Sequence, residues 1–451
     1  MRSFFYTSYR LFDGISTWRK KHFTPAGLLV LTLTAASAGL GINTRQSTIY
    51  QVFALTFPLL LLALLFSLFF RTRLSVTRKL PKFALAGEPL RYFAVIRNQT
   101  DKPQKGLIIH EQFGDPRPAY DDFLRAREPE EDSRNAWDRW TMVYRWMWLV
   151  ARNRQAKGKE QPLSTLPPRG KEQIRIEIMP LHRGYLELTG ITVSRPDPFG
   201  LFKACRFFSC YQRVLVLPKR YHLLQPDLPG SRRHQPGGVA LASSVGNSDE
   251  FVSLRDYRSG DPLRRIHWKS WAKTGKLIVK NYQDEFFVRH GLVLDTFQEQ
   301  PYSRAFEEAV SLAASFVSTV ESQESLLDLM FVGNKAYCFS SGRGVSHTDS
   351  MMEILACVRP CHDRPFSELS SLLLNHASRV SGCICILLSW DEERQEMIKT
   401  LREFGVPLKV IVVTEQADAE DIAEDAGPMR NEPENFSILA ADKMEEGVAG
   451  L

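Results

Sequence analysis

Acidic side chains are nearly missing from the first 82 residues, where eleven Lys or Arg stand against one acid, Asp13. Two stretches inside that segment, 25–42 and 49–70, contain no Asp, Glu, Lys, Arg or His. Neither can line a path for ions or protons, which excludes a transporter built on them. Cysteine is also scarce, at seven in 451 residues, odd in number and spread from Cys205 to Cys385. That dilution excludes a secreted disulfide scaffold and fits reduced thiols in a cytosolic compartment. No G-x-x-x-x-G-K-[ST], G-x-S-x-G or H-E-x-x-H occurs, so a P-loop, a nucleophile elbow and a zincin helix are absent. No catalytic residue is identified, and the chain is not expected to be an enzyme.

What is there is ordinary globular composition, 44% hydrophobic and 24% charged, enough for about three structural units at roughly 150 residues each. The net charge of +7 invites a nucleic-acid reading. The excess, however, is N-terminal: from Thr414 onward eleven acids face only Arg430 and Lys443. No nucleic-acid partner is expected.

At ~1.5 Å per residue, 49–70 crosses a hydrocarbon core of about 30 Å comfortably, and 25–42 just does. The first stretch is long for a signal-peptide core and lies behind a 24-residue basic leader. Residues 1–73 are therefore read as a leader and a two-helix transmembrane hairpin. Five Lys or Arg precede the first span, five follow the second, and Arg45 alone sits in the turn. Positive flanks stay inside, which predicts an inner-membrane protein with both termini cytoplasmic.

Residues 74–220 read as an antiparallel β-sandwich, from runs such as RYFAVIRN and QIRIEIMPL punctuated by Gly, Pro and Asn. Its PDPFGLF turn, 196–202, joins proline-fixed φ angles to a glycine free to take positive φ, a self-packing corner. A Trp- and Arg-rich insertion occupies about 115–171. On one helix Trp137, Trp140, Tyr144 and Trp148 would form a single stripe. Two readings stand open: an interfacial helix pressing that stripe into membrane lipid, or a helix packed on the sandwich with solvated arginines. From 289 to 414 apolar strands alternate with amphipathic helices, the pattern of a doubly wound α/β sheet with PLKVIVVT as its last strand. Cys383 and Cys385 share one face of a buried strand there. Ligands in such sheets sit beyond the strands' carboxyl ends, near Asp295 and Asp391. Residues 415–451 read as an acidic tail.

The densest motif lies in the 221–288 linker, GNSDEFVSLRDYRSGDPLRRIHWKSWAKTGKLIVKNYQDE. Asp261 is placed to cap a helix, Pro262 to open it and Gly275 to end it. Arg255, Tyr257, Arg264, Arg265 and Trp268 then surround a basic, aromatic element. It suits a protein-docking surface, a phosphate or acidic-lipid site, or an ion-pair lattice of Arg255, Asp261 and Arg264.

The pattern R-x-Y-x-x-G-D-x-x-R-x-I-x-W, met as Arg255, Tyr257, Gly260, Asp261, Arg264, Ile266 and Trp268, resembles the signature of domain-of-unknown-function family fifty-eight. RGYLELTGITVSRPDPFGLF and the two apolar stretches also resemble it. The resemblance implies a membrane-anchored protein whose last domain is von Willebrand factor A-like. It further implies a MoxR-type AAA+ ATPase and a transglutaminase-like membrane protein as partners, in a chaperone-like maturation or cell-envelope system. Such A domains hold Mg²⁺ through D-x-S-x-S after the first strand. Here Asp295 is kept but Phe297 and Glu299 replace both serines, and phenylalanine offers no oxygen to an ion that demands oxygen ligands. No cofactor is expected, and Asp295 and Asp391 are where Mg²⁺ would be sought.

Overall fold

The computed structural model describes residues 2–40, 47–70, 72–129, 131–223, 251–258, 263, 266–282, 289–298, 302–321, 326–340, 345–415, 422 and 426–451. It is a mixed α/β chain in two compact units, 1–219 with 352–358 and 220–351 with 359–451.

The first unit opens with helices α1 (Arg2–His22), α2 (Pro25–Leu40) and α3 (Ser47–Leu68). Among the described residues only α3 is long and apolar enough to cross a membrane, and α2 is shorter. The expected pair of spans is thus one helix of spanning length with a shorter apolar companion. Just 11% of the apolar window of α3 is buried, so it is not the core helix of the unit around it.

Nine strands follow, interrupted by three short helices: β1 (Leu74–Lys79), β2 (Phe83–Leu85), β3 (Leu90–Asn98), β4 (Leu107–Phe113), α4 (Tyr120–Arg125), α5 (Ala136–Thr141), α6 (Val143–Asn153), β5 (Ala156–Gly158), β6 (Gln161–Leu163), β7 (Lys171–Pro180), β8 (Gly184–Pro196) and β9 (Lys203–Leu217). They form two sheets, ordered β1-β3-β7-β5 and β2-β9-β8-β4-β6, antiparallel except for β2 against β9. Alternation does the sorting. Leu90, Tyr92, Ala94 and Ile96 of β3 point inward and share a core with Leu186, Leu188, Ile191 and Val193 of β8. One buried polar network crosses that core. Arg78 pairs with Glu111, and Tyr92 donates to the same carboxylate at 2.6 Å. Burial raises the Glu111 carboxyl above its ordinary range even against Arg78.

The PDPFGLF corner does more than pack itself. Asp197 accepts from the amides of Phe199, Leu201 and Phe202 at 2.9, 2.7 and 2.6 Å, with Gly200 at φ +68°. The corner so shaped seats the apolar helices. Thr24 donates to the Gly200 carbonyl at 2.6 Å, and a Cβ on Gly27 would stand 1.9 Å from the Leu201 carbonyl oxygen. Ala63, Leu201 and Phe202 pack there with Phe23, Val30 and Leu59.

In the second unit β10 (Phe251–Asp256) and β11 (Ile278–Tyr282) form an antiparallel pair around α7 (Trp268–Thr274), so the expected linker carries its own small sheet. Then come β12 (Arg289–Leu294), α8 (Arg304–Glu321), β13 (Leu326–Val332), β14 (Ala336–Ser340), α9 (Val345–Cys357, which from Met352 onward is counted with the first unit), α10 (Ser367–His376), β15 (Gly382–Leu387), α11 (Glu392–Glu403), β16 (Leu408–Thr414), β17 (Phe436–Ala440) and α12 (Met444–Val448). The sheet order is β14-β13-β12-β15-β16-β17, parallel except for β14. The chain therefore leaves β12 in one direction and returns on its other side as β15, a topological switch point. Cys383, Cys385 and Leu387 face α10 and α11, while α8 packs on the sheet. Burial pushes the Cys383 thiol up to about 12.

Two boundaries differ from expectation. PLKVIVVT is not the last strand, because β17 adds to it in parallel and α12 packs behind; the stretch read as a tail completes the sheet. The insertion is also shorter than 115–171, since β5 and β6 already belong to the two sheets of the sandwich.

Candidate functional site

The switch point brings Asp295 and Asp391 to one place, and what joins them is Arg394. Asp295 follows β12 and is fully buried. One of its oxygens accepts from the Phe297 amide at 2.9 Å, the other from the Leu388 amide at 3.1 Å and from Arg394 Nε at 2.6 Å. Asp391 caps the N-terminus of α11, accepting from the Arg394 amide at 3.0 Å, and takes a second guanidinium nitrogen of Arg394. The third nitrogen reaches the Phe297 carbonyl at 3.3 Å, and the guanidinium lies 4.6 Å from the Phe366 ring centroid. Burial lowers the arginine's proton affinity, but Asp295 and Asp391 outweigh it and the net shift is upward. A fixed monocation thus stands between the two carboxylates where an ion would be sought. Thr296 is committed to the Val332 carbonyl, and Phe297 stacks edge-on against Phe366 at 5.3 Å. Glu299 lies outside the described residues. Among those residues no three His, Cys, Asp or Glu side chains gather as a metal site would require.

Arg394 is the member that reading the chain for Mg²⁺ ligands misses. Its signal is Asp-Glu-Glu-Arg directly after a buried strand. An Asp at the N-cap and an Arg at the third helical position can face one another across the first turn.

Beside this cluster, α10 and α11 enclose a groove of about 380 Å³. Its floor is Phe366, Leu374, Met397 and Leu401, and Glu392, Glu393 and Glu396 also line it. Apolar surface flanked by one sign of charge suits a basic amphipathic segment.

The family motif is described in part. Tyr257 is half-buried, its amide donating to the Leu277 carbonyl at 2.9 Å. Arg255 lies opposite Val279 in the β10–β11 register. Ile266 is buried and forms a β-bridge to Val279. The helix expected to run LRRIHWKSWAKT starts only at Trp268, because Leu263 and Ile266 precede it in a turn and a bridge. It ends at Gly275 with φ +67°. Trp268 and Trp271 are both exposed and meet edge-on at 5.8 Å. Gly260, Asp261, Arg264 and Arg265 lie outside the described residues, as do the cap and the ion-pair lattice expected of them.

The Trp stripe of the insertion does not form. Met142 at φ +57° ends α5 and starts α6, rotating the second helix relative to the first. The residue turned inward is Trp146, which joins Phe123 and Leu149 in a satellite core against Phe5, Tyr6 and Tyr9 of α1. Trp137 and Trp140 remain exposed, Tyr144 lies under Arg134 at 3.9 Å, and Trp148 is half-buried beneath Arg152. The insertion packs on α1.

Fold and site together describe a mixed α/β chain with exposed apolar helices and a strand-end centre closed by its own arginine. Residues 253–445 match the sequence model described as "Protein of unknown function DUF58". An uncharacterized protein, YeaD, of Bacillus subtilis (strain 168) is 28% identical over 247 residues, which span 54% of this chain and 59% of that one. Among solved structures, red sea bream transglutaminase gives a TM-score of 0.17 at 14% identity, over 33% of this chain and 15% of that chain. The CARDB domain of PF1109 from Pyrococcus furiosus gives 0.16 at 9% identity, over 32% and 93%. Likenesses at such scores carry no argument about fold or function.

Proposed function

We propose that this protein is a membrane-anchored adaptor that docks a MoxR-type AAA+ ATPase, or that ATPase's client, at the cytoplasmic face of the cell membrane. The six-stranded unit is read as a von Willebrand factor A-like domain working without a metal. The observation that carries the proposal is Arg394: the strand-end carboxylates are engaged by an internal cation, and the surface beside them is a groove suited to binding rather than reaction. Exposure of α3 supports the anchor. α2 would enter the bilayer beside it in a two-helix, multi-pass arrangement, and the basic residues on both flanks favour cytoplasmic termini.

Affinity purification of the full chain from membranes, with and without ATP, tests this. A MoxR-type ATPase recovered in a nucleotide-dependent way is expected, and no nucleotide-dependent partner would refute it. Charge reversal at Arg264 and Arg265, or at Glu393 and Glu396, should weaken recovery according to which surface is the dock. The convergence of Asp295 and Asp391 favours one second reading, a metal-dependent enzyme on a cell-envelope substrate. Loss of a turnover on Asp295→Ala without loss of fold would select it.

A further inference from the structure

Helix α1 shows two apolar faces, and among the described residues only one is packed against the insertion. At about 100° per residue, Phe5, Tyr6 and Tyr9 occupy the side that meets the insertion: Tyr6 and Phe5 lie 5.6 and 5.0 Å from the rings of Trp146 and Trp140. Phe4, Leu11, Ile15 and Trp18 fall within about 60° of one another on a different side of the helix. There they stand 71%, 62%, 53% and 53% exposed. Asp13, the sole acid of α1, lies opposite that stripe, and Arg19, Lys20 and Lys21 fill the last turn.

The stripe leads directly to the apolar helices. Trp18 packs against Phe23 with ring centroids 5.9 Å apart, and Thr24 is all that separates Phe23 from α2. Leu11, Ile15 and Trp18 also line a cavity of about 450 Å³ together with Arg10. Apolar and cationic surfaces therefore adjoin within one helix, as acyl chain and phosphate do within a phospholipid.

We infer that α1 is an interfacial helix, its Phe4–Leu11–Ile15–Trp18 face laid into the boundary between headgroups and acyl chains of an anionic bilayer. The Trp-rich insertion then serves as its protein-side clasp. An amphipathic helix of this make-up lies in the plane of the membrane rather than across it. Basic residues at its end gain from anionic headgroups close to the surface. Continuity with α2 fixes which surface the stripe meets, because the bilayer that would receive the apolar helices begins one residue beyond Phe23. The inference rests on the anchor reading given above.

The test places a benzophenone amino acid at Leu11, Ile15, Thr17 or Leu61 of the full chain, reconstituted in phosphatidylglycerol–phosphatidylcholine nanodiscs and photolysed. Lipid adducts severalfold more abundant at Leu11 and Ile15 than at Thr17, on the far side of α1, are expected. Leu61 in α3 reports the anchor separately. Labelling by lipid at Leu61 but not at Leu11 or Ile15, equal labelling at Thr17, or protein adducts in place of lipid would overturn the interfacial helix alone. No lipid adduct at Leu61 would overturn the anchor and this inference with it.

Discussion

Replacing Arg394 by methionine removes the cation while keeping much of the side chain's volume. The guanidinium side chain is 7% exposed and Asp295 is 0% exposed, so the substitution strands a carboxylate away from water. Breaking a buried ion pair by removing one partner costs about 3–5 kcal/mol. The Phe297 and Leu388 amides still hold Asp295, which points to the lower end, about 3 kcal/mol. Asp391 adds little, because its side chain is 48% exposed and water can replace the lost nitrogen. Cys383 and Cys385 provide the assay. They lie in β15, buried and held as thiols, and react only when the six-stranded sheet opens. A cost of about 3 kcal/mol raises the open population on the order of a hundredfold, and thiol labelling followed by mass spectrometry should accelerate by that factor. Asp295→Asn combined with Arg394→Met should recover most of the loss, since no charge is then left buried. Arg394→Ala should make labelling sensitive to millimolar Mn²⁺, which would slow it by binding the freed carboxylates, while the unsubstituted chain stays insensitive. A change of less than about threefold in Arg394→Met would refute the view that this arginine holds the strand ends together.

Three further outcomes follow from the first unit. Arg78→Met should destabilise the sandwich by about 3–5 kcal/mol, and adding Glu111→Leu and Tyr92→Phe should restore most of it, read by hydrogen exchange across β3. Gly27→Ala forces a Cβ against the Leu201 carbonyl. At a typical overpacking cost of about 1–3 kcal/mol, exchange at the Thr24 amide, which donates to that carbonyl, should quicken at least severalfold. Trp146→Ala empties the satellite core at about 3–5 kcal/mol and should expose Arg125, Arg127 and Arg139 to trypsin while β3 exchange stays unchanged.

How much could be read in advance depended on whether a feature was local. Alternation in Leu90–Asn98 and the all-apolar run of Leu408–Thr414 declare themselves as half-buried and fully buried strands, because period and burial are written residue by residue. Gly275 announced the end of α7 for the same reason. The two aspartates were locatable because strand ends at a switch point are where sites form. Arg394 was not, because its role depends on β12 and β15 lying side by side, 99 residues apart in sequence at the Asp295–Arg394 bond. Helical periodicity likewise promised one Trp stripe, and a single left-handed Met142 broke it; no propensity marks methionine for that conformation. The start of α7 slipped for a similar reason, as Ile266 is drawn into a bridge with β11 that a proline-led helix would forgo.

The acidic stretch after Thr414 has a consequence for how the protein survives among copies of itself. β16 is buried along its entire length, seven residues of β-branched and aliphatic character with one lysine, a ready template for a foreign strand if its edge were bare. The chain spends its last residues covering that edge with β17, five residues long, preceded by Glu432, Pro433 and Glu434 and followed by Asp442, Glu445 and Glu446. Negative charge and a proline thus guard the outermost strand, and trimming the chain after Thr414 would trade a folded sheet for one primed to aggregate.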